Sequence, residues 1–134
     1  MQPEKAEEVN AWIAKAGDDL RGAEIDLAAQ PPLLSDVVFH SQQAAEKAMK
    51  AFLTANDSPF RKTHDLEPLA AACIAFAPSL RAVLESASNL TPYAWQFRYP
   101  GEATEPTLDE AIDAFARARA AVTFIRECLE TVDG

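Results

Sequence analysis

Apolar residues recur along this chain at intervals of three and four, and strand-like alternation is absent. The pattern therefore predicts helices and no sheet. A first helix is predicted over about residues 3–29, with Val9, Trp12, Ile13, Ala16, Leu20, Ala23 and Leu27 on one stripe. Glutamates gather in its first turn, where the helix dipole favours them, and Pro31-Pro32 closes it. A second helix runs to about Ala55, with Ser35 or Asp36 placed to cap it. Val38, Ser41, Ala45, Ala48, Met49 and Phe52 face inward on this helix. His40, Gln43, Lys47 and Lys50 fall within a sector of about 80° on its other side, at about 100° per residue.

Asn56-Asp57-Ser58-Pro59 breaks the chain. A shorter third helix is expected to start at Thr63 as N-cap, with His64 and Asp65 in its first turn and Leu66, Leu69, Ala70, Cys73 and Ile74 inward. A fourth takes Leu80, Val83 and Leu84. The connection over residues 89–106 is long and rich in proline and aromatics, a length that often signals function. Thr107 caps a last helix to about Thr131, with Leu108, Ile112, Phe115, Ala118, Val122, Ile125 and Leu129 as its core stripe. The expected fold is all-α: one domain over residues 1–134, an up-and-down bundle of about four to five helices plus short ones. Ile25, and Phe124 with Cys128, point away from these stripes. Such second faces mean either extra packing from the short helices or a subunit interface, and we favour a homodimer.

Composition narrows the function. With a formal charge of −9, the chain repels polyanions at long range, which argues against general DNA binding. The bases at 47, 50, 61 and 62 still make a local basic cluster, or else a solvated helix face. Cys73 and Cys128 show no metal-ligand spacing, so we expect unreactive thiols in a reducing compartment and no metal. No apolar run approaches a membrane span, and the expected location is cytoplasmic.

Candidate chemistry gathers at the corner between the second and third helices. His64 at a helix start suits an anion, because free backbone N–H groups point outward there; its structural alternative is a local cap. Lys50, Arg61 and Lys62 can neutralise phosphate, although Glu46 and Lys50 also form an ordinary i,i+4 pair. His40, Lys47 and Asp65 support the corner, Asp65 as a favourable first-turn acid. In the late loop, Tyr93 and Tyr99 can stack a base while Arg98 takes phosphate. Alternatively the tyrosines close the bundle end like a lid, the role we expect for Trp95 and Phe97. Arg119 and Arg126 border the last core stripe, to pair with acids there or point into a dimer groove. Glu102 and Glu105 read as loop acids. No catalytic triad, phosphate-binding loop or dinucleotide fingerprint occurs, and no cofactor is implied.

Three phrases, FHSQQAAEKAMKAFL at 39–53, RKTHDLEPL at 61–69 and the late Tyr93…Tyr99-Pro100-Gly101-Glu102, together resemble the HEPN family over roughly residues 8–130. That resemblance implies a helical bundle, commonly dimeric, found alone or beside a minimal nucleotidyltransferase. Many members are ribonucleases that carry an arginine and a histidine at a spacing of four to six. Here no arginine precedes His40 at such a spacing, and Arg61 stands only three residues before His64. The usual ribonuclease motif is therefore missing, and no catalytic residue is assigned. The Thr-His-Asp-Leu start and late Tyr-Pro-Gly segment resemble a branch linked to nucleotide binding or to a nucleotidyltransferase partner in a toxin–antitoxin-like setting. Two alternatives stand beside it. One is a metal-independent ribonuclease pairing Arg61 or Arg98 with His64. The other is a purely structural interaction module.

Overall fold

The computed structural model describes residues 1–101 and 104–133. Five α-helices carry the fold: α1 (Pro3–Ala28), α2 (Leu34–Ala55), α3 (Leu66–Phe76), α4 (Arg81–Ser88) and α5 (Leu108–Asp133). Short 3-10 turns at Pro78–Leu80 and Thr91–Ala94 join the last three, and no strand occurs among the described residues.

Local chemistry explains most of the boundaries. Pro3 sits at the first position of α1, where a missing N–H costs nothing. The helix stops before the cis Gln30–Pro31 bond. α2 ends where the Asn56 side chain and backbone both donate to the Phe52 carbonyl and Asp57 turns left-handed (φ 55°). Thr107 and Glu110 form a reciprocal capping box at the start of α5: the Glu110 N–H donates to Thr107 Oγ1 at 3.0 Å and the Thr107 N–H to Glu110 Oε1 at 3.2 Å.

Two expected caps fall elsewhere. α2 begins at Leu34 after an uncapped Leu33, so neither Ser35 nor Asp36 caps it. α3 begins at Leu66 with Asp65 as N-cap, whose carboxylate accepts from the Glu67 N–H. Thr63 instead accepts from the Asp65 N–H one step earlier, so His64 lies ahead of the helix and not in its first turn.

α1 and α2 form an antiparallel hairpin, pinned near its ends by Lys5–Asp57 at 3.0 Å and near its middle by Lys47–Asp19 at 2.6 Å. α5 packs across both helices, α3 packs on the C-terminal half of α2, and α4 lies against α3 and α5. Alanine makes the close approach possible. Ala16, Ala23, Ala44, Ala45, Ala48, Ala51, Ala111, Ala118 and Ala121 are all fully buried between helices, with Met49, Leu53, Leu66, Leu84 and Ile125 filling the space around them.

α5 corrects its expected stripe. Ala111, Ala114, Ala118, Val122 and Ile125 form its core face, whereas Leu108 and Ile112 are about half exposed. The late segment is the expected lid only in part, with Tyr93 and Phe97 packed against the core. Trp95 is half exposed, while Phe97 is partly buried and stacks on Tyr93 at 6.3 Å. Glu102 lies outside the described residues.

Candidate functional site

α2 is buried on nearly every side, and its Ser41, Gln42, Glu46 and Lys50 are all under nine per cent exposed; Ser41 donates to the Val37 carbonyl of its own helix, and the others look to partners around them. Among the described residues, every buried side-chain polar atom finds a partner. Those partners divide into two clusters.

The first cluster faces the loop after α2. Glu46 is almost wholly buried, and its Oε2 accepts from Lys50 Nζ at 2.9 Å. The Lys50 ammonium lies 5.6 Å from the Trp12 ring and 5.7 Å from the Phe60 ring, and these two rings meet edge-on at 6.3 Å. A buried cation is thereby paired with a carboxylate and flanked by two aromatic faces, which offsets part of its desolvation. Glu46 Oε1 accepts from His64 Nδ1 at 2.9 Å. A carboxylate can only accept, so the Nδ1 proton is fixed and Nε2 points away from Glu46. The imidazole is 64% exposed against 4% for the Glu46 side chain, which makes it a surface group on a buried support. Gln42 Nε2 donates to the His64 carbonyl at 2.8 Å and locks the loop backbone; Gln43 in turn donates to Gln42 Oε1 at 2.7 Å.

Arg61 and Lys62, on the same loop, are exposed and make no ion pair or hydrogen bond among the described residues. Two free cations beside an oriented histidine form a local positive site on an acidic protein.

The second cluster faces α1. His40 Nδ1 donates to Asp19 Oδ1 at 2.9 Å, and Lys47 Nζ donates to Asp19 Oδ2 at 2.6 Å. His40 Nε2 lies 3.9 Å from Asp26 Oδ2, and the ring passes over Gly22, where an added Cβ would sit 3.5 Å from it. Asp19, Gly22 and Asp26 share one face of α1, so His40 rests in a seat built by that helix. Its two nitrogens are both turned toward carboxylates.

The late loop reaches neither cluster's centre. Arg98 Cζ lies over the Phe39 ring, 3.7 Å from its centroid, and the guanidinium is 3.7 Å from Asp36, on the first turns of α2. Phe39 precedes Glu46 by seven residues, about 10 Å along a helix, so Arg98 is separated from the His64 support. Phe97 reaches this turn with a left-handed backbone (φ 69°), a conformation rare for a bulky residue. Tyr93 faces α5 instead: burial raises its phenol, and the carboxylates of Glu110 and Asp113 raise it further. Tyr99 is exposed at the tip.

The sequence matches the family model described as HEPN domain over residues 9–128. The chain belongs to the HEPN domain family. No curated protein and no solved structure matches it. The two HEPN phrases at 39–53 and 61–69 supply both clusters, with α1 contributing Asp19, Asp26 and Trp12.

Of the residues singled out from the sequence of this HEPN domain, Lys50 and His64 meet through Glu46, while Arg61 and Lys62 share the loop with His64 and Arg61 lines a cavity on its other side. Lys50 is 8% exposed and already paired, so its ammonium supports the site from within and does not front it. His40 and Lys47 meet on Asp19, whereas Arg98, Tyr93 and Tyr99 disperse toward α2's start, α5 and the loop tip. The residues missed were Glu46 as a support, Gln42, Asp19 and Asp26. A signal existed: Asp19 and Asp26 are spaced by seven, as are Trp12 and Asp19, so all three share the edge of α1 that meets α2.

A cavity of about 710 Å³ between α3 and α4 is lined by none of the residues of either cluster. Arg81, the cation in its lining, is engaged by Glu85 at 3.0 Å. It offers an anion little. Burial also pushes the Cys73 thiol up to about 12 and raises that of Cys128, with Glu127 adding to the latter. No group of metal-ligating side chains occurs among the described residues.

Proposed function

We propose that this HEPN domain binds the phosphate of a nucleotide at the corner formed by His64, Arg61 and Lys62, and does so as a homodimer partnered with a minimal nucleotidyltransferase in a toxin–antitoxin-like pair. The observation that carries the phosphate site is the exposed His64 imidazole held at Nδ1 by buried Glu46. When protonated, that ring presents an Nε2–H to an anion while Glu46 balances its charge. Arg61 and Lys62 add two cations that no described acid already holds. Family membership supports the partner, and the exposed Leu108 and Ile112 on α5 support a second copy.

Isothermal titration with ATP and GTP tests the nucleotide site. Wild type is expected to bind, and His64→Ala to weaken binding by roughly tenfold, the loss of one charge-assisted hydrogen bond. No binding at millimolar nucleotide, or unchanged affinity in His64→Ala, removes the reading. Co-expression with the neighbouring reading frame tests the partner: a nucleotidyltransferase that co-purifies supports it, and separate elution counts against it.

A second reading draws on the same oriented imidazole. A histidine held by a carboxylate is also the arrangement of a general base, so metal-independent RNA cleavage is the alternative activity. Arg98 is engaged with Phe39 and Asp36, which leaves Arg61 to stabilise the developing phosphorane charge. Cleavage that survives His64→Ala rules out this assignment.

A further inference from the structure

The loop between α2 and α3 has two sides, and only one faces the Glu46 cluster. Phe60 and His64 turn toward Lys50, Trp12 and Glu46. Pro59, Arg61, Thr63 and Asp65 line a cavity of about 480 Å³ under the loop, whose walls are Leu53, Phe60, Pro68, Leu69 and Ala72. That volume lies within the range of about 300–1,000 Å³ typical of small-ligand pockets, and its lining follows the same plan of apolar walls with a few polar groups. Its polar groups sit at one side, on the loop.

Each can meet a different part of a ligand. Arg61 has no ion pair among the described residues, and Lys62 follows it on the surface. Asp65 uses Oδ1 to accept from the Glu67 N–H at 3.1 Å, which leaves Oδ2 as an acceptor for a ring or amino N–H. Thr63 Oγ1 accepts from the Asp65 N–H at 3.0 Å, so its hydroxyl proton is still available to donate. Apolar walls that include one aromatic ring, a donor and an acceptor on the loop, Arg61 in the lining and Lys62 next to it make a recognition set for a heteroaromatic ring carrying an anion.

We infer that the cavity under residues 59–65 takes the base of a nucleoside monophosphate, with its phosphate at Arg61 and Lys62. The inference rests on the phosphate-binding reading of the corner and moves the base away from the late-loop tyrosines. The base enters between Phe60, Pro68 and Leu69, Asp65 accepts from its N–H edge, and Arg61 bridges from cavity rim to phosphate. His64 lies on the opposite side of the loop and outside the cavity lining, so the phosphate, and not the base, is the part of the ligand within its reach.

The test compares GMP with ribose 5-phosphate, which carries the phosphate without the base, by amide chemical-shift mapping of the full chain. GMP is expected to shift Leu53, Leu69 and Ala72 together with Arg61 and Lys62, whereas ribose 5-phosphate shifts only the loop. Ala72→Phe fills the cavity and is expected to reduce GMP affinity at least tenfold, to that of ribose 5-phosphate, which stays unchanged. Arg61→Glu, a surface change that leaves the core intact, is expected to weaken both. GMP binding that shifts residues 93–99 but not Leu53, Leu69 and Ala72, or that Ala72→Phe leaves intact, overturns the cavity assignment while the phosphate site stands. Cavity shifts with GMP that His64→Ala leaves unchanged support the cavity and overturn the His64 contact, whereas failure of ribose 5-phosphate to compete overturns the phosphate at Arg61 and Lys62. No shift anywhere with either compound overturns both.

Discussion

Glu46 is the residue on which the corner depends, because it is buried between the Lys50 ammonium and the His64 ring and has nowhere else to turn. Replacing it with Gln removes the charge that balances Lys50, whose ammonium lies against Trp12 and Phe60. Breaking a buried pair on one side costs about 3–5 kcal/mol, whereas exchanging both partners for apolar groups is often neutral. Chemical denaturation should therefore show a large loss in Glu46→Gln and recovery in Glu46→Gln with Lys50→Met; equal losses in both would mean the pair contributes nothing distinctive. Gly22 makes a prediction of the opposite sign. It sits inside α1, and the space toward His40 is ordinary contact distance at 3.5 Å. Gly22→Ala should raise stability by about 0.5–1 kcal/mol through helix propensity, visible as a higher denaturation midpoint. Cys73 adds a pH term. Its folded thiol stays protonated up to about 12, while the unfolded thiol ionises near 9.0. Above 9.0 the unfolded state therefore holds fewer protons, and stability falls as pH rises, by at most about 1.4 kcal/mol per pH unit. Cys73→Ala should show a shallower alkaline decline than wild type.

Among elements, α5 depends most visibly on its first turn. The Thr107–Glu110 capping box satisfies backbone groups at its start, and Thr107→Ala should lower stability by about 1 kcal/mol in thermal or denaturant melts. That cap was readable because Thr and Glu stand three apart before an apolar run. Other features were not. Leu108 and Ile112 match a core stripe by spacing alone, but small Ala111 and Ala114 let α5 come close to its neighbours and turn the larger groups outward. Thr63 and Asp65 are both good caps, and sequence does not say which one the chain uses; the hydrogen bond from the Leu66 N–H to Thr91 Oγ1 fixes the start of α3 from a distant turn. Candidate-site chemistry was legible as a set of bases and histidines on two phrases. Its organisation was not, because a Glu46–Lys50 spacing of four looks the same on a solvated helix as in this buried corner.

At the scale of the molecule, half-exposed Leu108 and Ile112 on α5 bear on assembly. If they seat a second copy, Ile112→Glu should convert a dimer to a monomer in sedimentation velocity without unfolding it; a wild type that sediments as a monomer at micromolar concentration counts against the dimer. Burial is also unequal across the bundle, and α2 shows how. Ala44, Ala45, Ala48 and Met49 are wholly enclosed by neighbouring helices, while the chain from Trp95 to Gly101 lies largely at the surface. Amide hydrogens of α2 should thus exchange with solvent only on global opening, and those of the late loop within seconds to minutes. Both histidine clusters hang from the same slowly exchanging rod. Protection gained at residues 61–65 on adding a ligand would then report a local event, separable from any tightening of the whole protein.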